Sequence, residues 1–454
     1  MKIGAVGFGS RTAGVYNEFS KVNPNFEMVA YVDPQPIGKD FAEKNNFFPN
    51  KSYSSLNEML DREKLDMLMI GSPNHLHLDH IKLGLRAGLQ IFAEKPIVIS
   101  EQETFELAKL IKEYGKERII VGLVLRYSQQ ARSVRKLLDQ NAIGNIISIE
   151  ASEHIVPSHG AFFMRNWRRK QKYSGGFMLE KCCHDIDFYS MITKSRPIKV
   201  ASFGSRRSFI PENLPEGSHE QYTKDRLKGW ESKSNVLDSD ADIVDHQVAI
   251  IEYANKAVLS FHTNMKVPDE FRRFAVIGSA GMIEGDFVKG FMKAHDENNN
   301  VLIDEDYGAA FGKEIKGHYG ADSMMAQDIN NYLLKNNKEL PVGVTECMEA
   351  GIVAMKIDEA RNPKGPSKIP VRIPTPAIIP KYPLYNHNQP SIPIAIGTTH
   401  GGITSTLKID LPFKLALSKT APIKPMISFK ETEKNIQTNV LVTIPLNFLL
   451  ENIF

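Results

Sequence analysis

From Lys2 onward the chain alternates short apolar runs with longer stretches in which apolar residues return every three or four positions. The runs at Ile3–Val6, Met28–Val32, Leu65–Ile70, Leu89–Ala93 and Arg118–Leu125 are continuous enough for strands buried on both faces. Helical spacing between them predicts helices ending near Val22, over His77–Ala87 and over Gln102–Tyr114, the last opened by a Ser100/Glu103 capping box. Strands separated by helices of this length imply an α/β domain with a parallel, doubly wound sheet over residues 1–125. Beyond it the rhythm becomes mixed. A helix over Gln130–Gln140, period-two alternation in NIISIEASEHI, a helix over 177–191, strand-like FAVIGS and AGMIEGDF, and helices near 322–336 and 344–360 predict an α+β domain over 126–374. From about Thr375 proline becomes frequent and helical periodicity is lost. TLKIDLPFKLAL (406–417) still alternates like a half-buried strand, and NIQTNVLVTIPLNF suits a second. Residues 375–454 therefore read as a β-rich module or an irregular extension, with no chemistry assigned to them.

Composition narrows the function classes. Hydrophobic content of 42% and charged content of 24% suit a soluble globular protein, and 454 residues suit two domains. A formal charge of +3, with no lysine or arginine run, argues against nucleic acid or a membrane surface as the main partner. The three cysteines, two of them adjacent, make no disulfide framework, and no long apolar segment reads as a leader or a membrane span. A cytoplasmic location is the simplest expectation.

The first candidate chemistry is KIGAVGFGSRTAG, a strand, a glycine turn and a helix start. Gly7, Gly9 and Gly14 are spaced G-x-G-x-x-x-x-G, looser than the commonest dinucleotide fingerprint, but glycines are needed where backbone approaches a pyrophosphate at a helix N-terminus. Phe8, Ser10 and Arg11 share that turn. Asp33, ending the second strand, stands where an acid accepts hydrogen bonds from adenosine ribose hydroxyls, and its charge favours NAD over NADP. Ser72, Asn74 and His77 in SPNHLH, and Glu94 and Lys95 in EKP, fall at carboxyl ends of strands, on the cofactor side of such a sheet.

The second is GGFMLEKCCHDID (175–187). On one continuous helix, Glu180, His184, Asp187 and Met191 fall within roughly 60° of one another, while Cys182 points the other way. The thiols and the imidazole therefore do not share a tetrahedral metal site, and no further Cys/His cluster has zinc spacing. Adjacent helical cysteines diverge and read as packing residues. A histidine suits proton transfer near neutral pH, and a carboxylate one turn away can orient it. Taken alone, a mid-helix histidine among acids is more often a structural hydrogen-bonded residue, and residue types leave both readings open. Arg126, Tyr127, Arg165, Trp167 and His246 are weaker candidates for substrate contact, and 210–240 reads as a long loop that caps the site.

GFGSRTAG, Asp33, SPNHLH, EKP and the histidine helix, in this order over about 360 residues, resemble the Gfo/Idh/MocA oxidoreductases, glucose–fructose oxidoreductase and inositol dehydrogenase among them. The resemblance implies a Rossmann domain, a second domain with an open-faced mixed sheet, and homo-oligomerisation. It implies that Lys95 lies beside the nicotinamide and polarises a substrate oxygen. It also implies that His184 takes the hydroxyl proton, with Glu180 and Asp187 orienting it. Many members carry Asp where this chain has Glu180, whose carboxylate is one methylene farther from the backbone. The expected reaction is hydride transfer between NAD and a secondary hydroxyl of a sugar, sugar derivative or inositol. The alternatives are a glycosidase working by transient oxidation and a non-catalytic nucleotide- or sugar-binding protein.

Overall fold

The computed structural model describes residues 1–214, 216, 230, 232–233, 235–310, 318–337 and 339–361, and three two-residue strands at 371–372, 393–394 and 407–408. The greater part of the loop expected over 210–240 lies outside the described residues, and beyond residue 372 only the paired strands Pro393–Ile394 and Leu407–Lys408 are described. The rest of the 406–417 alternation and all of NIQTNVLVTIPLNF lie outside the described residues.

Six strands, β1 (Lys2–Val6), β2 (Glu27–Val32), β3 (Lys51–Ser52), β4 (Met67–Ile70), β5 (Gln90–Ala93) and β6 (Ile119–Val121), form an all-parallel sheet in the order β3-β2-β1-β4-β5-β6. The crossovers are helices α1 (Ser10–Val22), α2 (Lys39–Lys44), α3 (Leu56–Arg62), α4 (His77–Arg86) and α5 (Glu101–Tyr114). β1 and β4 bury nearly every residue, as sheets covered on both faces require. Reversal of strand order between β1 and β4 opens a crevice at their carboxyl ends, where the glycine turn and SPNHLH meet. The capping box forms, with Ser100 Oγ accepting the Glu103 amide and Glu103 Oε2 accepting the Ile99 amide. The expected strand Arg118–Leu125 is shorter. After β6 the chain leaves the sheet at Gly122 and makes a single tight turn, Val124–Tyr127.

The second sheet has nine strands: β7 (Ile146–His154), β8 (Pro197–Ser205), β9 (His246–Tyr253), β10 (Val258–Asn264), β11 (Arg273–Gly278), β12 (Gly281–Asp286), β13 (Phe291–Asp296), β14 (Val301–Asp306) and β15 (Val371–Arg372). Their order is β14-β13-β12-β11-β7-β10-β9-β8-β15, antiparallel throughout except for β7 beside β10. Helix α6 (Gln129–Asp139) links the two sheets. Then follow α7 (Pro157–Arg165), α8 (Gln171–Ser174), α9 (Phe177–Glu180), α10 (Cys183–Thr193), α11 (Tyr307–Ala310), α12 (Ala321–Leu333) and α13 (Val344–Arg361). One face of the sheet packs on α10 and α13. The other carries Phe203, Ile250 and Ile277, of which Phe203 is 77% exposed. Alternation along β10 (Leu259, Phe261 and Thr263 inward; Val258, Ser260 and His262 outward) gives the sheet these two characters.

The helix expected over 177–191 is two pieces. Gly176, at φ +96°, starts α9 where a Cβ would lie 2.6 Å from Asp358 Oδ2, and the helical path is interrupted at Lys181–Cys182 before α10 begins. Among the described residues no helix is long and apolar enough to cross a membrane.

Candidate active site

β1 stops at Val6 and the chain turns through Gly7, whose φ of +80° admits no side chain: a Cβ there would lie 2.2 Å from the Ser72 nitrogen. At Gly9 a Cβ would meet nothing within 4 Å, and the first amides of α1 have neither a side-chain cap nor an acid in the first turn. Open N–H groups at the positive end of a helix suit a pyrophosphate. Gly7, Gly9 and Ser10 thus fit a dinucleotide through their backbone. Asp33 Oδ2 accepts the Phe8 amide at 2.6 Å and Oδ1 the Gln35 amide at 2.7 Å, leaving each oxygen a second lone pair for a ribose hydroxyl. Burial pushes this carboxyl above the usual carboxylate range, and the two amides pull it only part of the way back. The Phe8 ring turns into the core against Tyr31 and Phe48, so only its backbone stays on this side.

Other residues expected at the cofactor have their side chains engaged within the protein. Arg11 pairs with Glu94 at 2.9 Å and with Asp322 at 2.8 Å. Ser72 Oγ meets His80 Nδ1 at 2.9 Å. The buried His77 ring sits 2.9 Å from the carbonyls of both Ser72 and Pro96, bracing SPNHLH against EKP. Asn74 reaches across to the second domain, donating to Glu180 Oε2 at 2.5 Å and to the Ser174 carbonyl at 3.0 Å.

Lys95, Glu180 and His184 come together at this junction. The Lys95 ammonium donates to the backbone carbonyl of Glu180. The Glu180 carboxylate is held by Asn74 and by Arg168 at 2.8 Å. Arg168 in turn rests on the Trp167 ring at 4.1 Å. Burial pushes Glu180 up, but Lys95 and Arg168 outweigh it and its carboxyl stays below the usual range. His184 is 3% exposed, and its Nδ1 is buried without a hydrogen-bond partner, so Nε2 is the nitrogen left for exchange. Burial first, then the charges of Lys95, Arg272 and Lys181, holds the imidazole well below the ordinary histidine range of about 6.5. At neutral pH it is an uncharged base.

The carboxylates expected to orient His184 do not. Asp187 is bound bidentately by Arg126, at 2.6 and 2.7 Å, while Glu180 faces Asn74 and Arg168. Each acid has a cation in hydrogen-bonding range, and the break at Lys181–Cys182 removes the single helix face on which the expectation rested. Arg126 is therefore a structural clamp, which also donates to the Pro341 carbonyl. Tyr127 is fully buried core, and Arg165 and Trp167 are buried too. His246 lies on the open side of the sheet, in step with the outward Val248 and Ile250 and beside Ser205, opposite the face that packs on α10. All three cysteines are buried and unpaired; burial pushes the Cys183 thiol up to about 12, as expected of packing residues. Among the described residues no group of three or more His, Cys, Asp or Glu could hold a metal ion.

Several neighbours escape a reading by local pattern. Beneath His184, Arg272 binds Asp185 through two 2.7 Å bonds and Glu153 at 2.9 Å, and Lys181 binds Glu153 at 2.6 Å; all four side chains are largely or wholly buried. Burial acts against Glu153, yet Arg272 and Lys181 keep its carboxyl below the usual range. His159 on α7 is held down to about 3 by burial and by Lys181, with Lys95 and His318 also acting on it. His318, just before α12, brings its ring centre to 6.0 Å from that of His184. The only local sign of it was the four-residue spacing of His318 and Asp322.

Two domain models match the chain: an oxidoreductase-family NAD-binding Rossmann fold over residues 1–123 and an oxidoreductase-family C-terminal alpha/beta domain over 135–369. Among curated proteins, the chain is 22% identical to the putative oxidoreductase YteT of Bacillus subtilis over 324 residues, 61% of this chain and 75% of that one. It is 20% identical to the inositol 2-dehydrogenase of Corynebacterium glutamicum over 201 residues, 44% of this chain and 56% of that one. Among solved structures, scyllo-inositol dehydrogenase from Lactobacillus casei with bound NAD(H) and scyllo-inositol superposes with a TM-score of 0.62 at 21% identity, over 82% of this chain and 99% of that one. A levoglucosan dehydrogenase in complex with NADH and levoglucosan gives 0.64 at 16% identity, over 83% and 100%. With both domain models in sequence along the two sheets, the chain belongs to the Gfo/Idh/MocA oxidoreductase family and carries its NAD-binding Rossmann fold.

Proposed function

We propose that the protein is an NAD-dependent dehydrogenase or reductase acting on a secondary hydroxyl or ketone of a sugar, sugar derivative or inositol. The observation that carries the reading is the meeting of Lys95 and a neutral, buried His184 at the mouth of the Rossmann crevice. Relatives in the family include an inositol 2-dehydrogenase and a 1,5-anhydro-D-fructose reductase, which supports a polyhydroxylated substrate. NAD, when bound, supplies the hydride acceptor. Gly7, Gly9 and Ser10 offer backbone amides to its pyrophosphate, and Asp33 offers carboxylate oxygens to its ribose. Lys95 donates to the substrate oxygen and stabilises negative charge as it develops there. His184 Nε2 accepts the hydroxyl proton, and gives it back in the reductive direction. Glu180 acts through Lys95 and Arg168, as the acid that balances the two cations. A cytoplasmic homo-oligomer in contact through the open sheet face completes the proposal.

The test is a panel of sugars, sugar acids and inositols, read by nicotinamide absorbance after any co-purified cofactor has been identified. At least one polyol class is expected to reduce NAD. Steady hydrolysis of a glycoside without net NADH would move the protein to the transient-oxidation class, and tight NADH binding with no turnover anywhere would sink the dehydrogenase reading. The Asp33 assignment has its own readout, independent of turnover. Asp33→Ala is expected to weaken NADH binding about tenfold or more, as loss of a charged hydrogen bond does, while NADPH binding fails to weaken in parallel. Equal losses for the two dinucleotides in a fluorescence titration would remove Asp33 from the ribose.

A further inference from the structure

His184 can take a proton but has no outlet among its own hydrogen bonds, since it is almost wholly buried and Nδ1 has no partner. The imidazole facing it is His318, at 6.0 Å between ring centres and with the planes inclined by 51°. That is too far for a direct N–H···N bond and within reach of one bridging water or hydroxyl. His318 is also prepared on its far side. Its Nδ1 lies 3.1 Å from Asp322 Oδ2 and 3.3 Å from the Arg11 guanidinium, which donates to Asp322 Oδ1 at 2.8 Å and to Glu94 Oε1 at 2.9 Å. Asp322 is the nearer of the two partners of Nδ1 and a carboxylate only accepts, while Arg11 makes its shorter bonds to the two acids, so Nδ1 of His318 is assigned as the N–H and Nε2 keeps the lone pair. Burial would raise the Asp322 carboxyl, but Arg11 holds it below the usual range, so the acceptor stays charged. Both His318 and Tyr319 sit in the left-handed region, at φ +48° and +60°, a strained pair of the kind that persists where surrounding structure requires it. The His318 side chain is 35% exposed, whereas His184 is 3% exposed.

We propose that His318, set by Asp322 and Arg11, is the relay through which His184 exchanges its proton with solvent. The proposal rests on the reading of His184 as the proton acceptor. The substrate O–H breaks with its proton going to His184 Nε2, while the C–H electron pair leaves as hydride to the nicotinamide of the proposed reaction. His184 Nε2 then passes the proton through a water to His318 Nε2. The His318 imidazolium, disfavoured by burial and by Arg11 and only partly steadied by Asp322, releases one proton to bulk water. The groups facing the pair are Lys95, Lys181 and Arg272 around His184, and Arg11, Asp322 and Lys181 around His318, with His159 close to both Lys95 and His318. His318 is thus a positioning residue, acting through His184.

The experiment compares wild type, His318→Gln and Asp322→Asn as full chains, in two arms. In turnover with the best substrate of the panel, H318Q is expected to lose about tenfold in kcat, less than loss of the base itself, with little change in KM. Rising concentrations of free imidazole are expected to restore it, because a small base replaces the relay, and D322N should respond in the same direction. The second arm needs no substrate: in histidine-labelled protein with NADH bound, nitrogen NMR is expected to show the His184 titration moving upward in H318Q, since the charge that His318 gains on protonation no longer opposes that of His184. A kcat of H318Q indifferent to imidazole, or a His184 titration unmoved by H318Q, overturns the relay. Failure of the underlying reading looks different: His184→Ala would keep its rate, and the relay would fall with it.

Discussion

His184→Ala is expected to cut alcohol oxidation about 10²–10⁴-fold while NADH binding and the melting temperature stay close to wild type, the loss expected of a positioned general base. The side chain belongs to α10 and not to the glycine turn, so its truncation leaves the backbone amides offered to the dinucleotide in place. The pH dependence carries a sign. Only the neutral imidazole accepts a proton, and burial together with the Lys95 charge holds His184 well below the ordinary histidine range. The acid limb of kcat/KM for oxidation should therefore lie below about pH 6.5, the usual histidine value. Lys95→Met, besides lowering the rate, should move that limb upward, because the protonated imidazole no longer faces an ammonium. A limb at the ordinary value in wild type, unmoved in K95M, would show that some other group titrates.

Arg272→Met is expected to destabilise the protein by about 3–5 kcal/mol, the cost of leaving buried carboxylates without their cation. The side chain is 2% exposed and holds Asp185 and Glu153 together; without it, Lys181 alone faces two buried negative charges. In thermal melts this should appear as a drop on the order of 10 °C. Arg135 on α6 supplies the control. Its side chain is 57% exposed and 3.7 Å from Asp139, itself 55% exposed, so Arg135→Met should change stability by at most about 1 kcal/mol. Equal melting of R272M and R135M would mean that the buried cluster contributes nothing measurable to stability. Because Asp185 neighbours His184 on α10, R272M should also lower turnover in whatever fraction stays folded.

Local pattern made half of this molecule readable. The first sheet announces itself through continuous apolar strands and periodic helices, since buried parallel strands impose that composition wherever they occur. Gly7, Asp33, Lys95 and His184 were equally visible, each lying at a strand end or within a short recognisable segment. What local pattern misjudged was partner choice. Asp187 stands one turn from His184 in sequence but pairs with Arg126, 61 residues away, because the bidentate guanidinium is the stronger partner. Glu180 and His184 stop sharing a helix face at Lys181–Cys182, where no proline or glycine marks the break. His246 looked like a site residue by type, and only the strand register assigns it to the opposite side of the sheet. His318 went unnoticed because its meaning depends on Arg11, which lies some three hundred positions earlier.

That separation bears on how the cleft comes into being. Arg11 and Asp322 are 311 residues apart in sequence, and Lys95 and Glu180 are 85 apart. Loop-closure entropy grows only logarithmically, so the longer link costs about 1 kcal/mol more than the shorter. Remote origin is thus a small thermodynamic burden. The kinetic consequence is larger, since contacts of this span form only after the segments that carry them have already folded. The Arg11–Asp322 clasp should be absent from the folding transition state, so a substitution there would quicken unfolding and leave the folding rate nearly untouched. By that logic the cleft is the last part of the native state to close and the first to open.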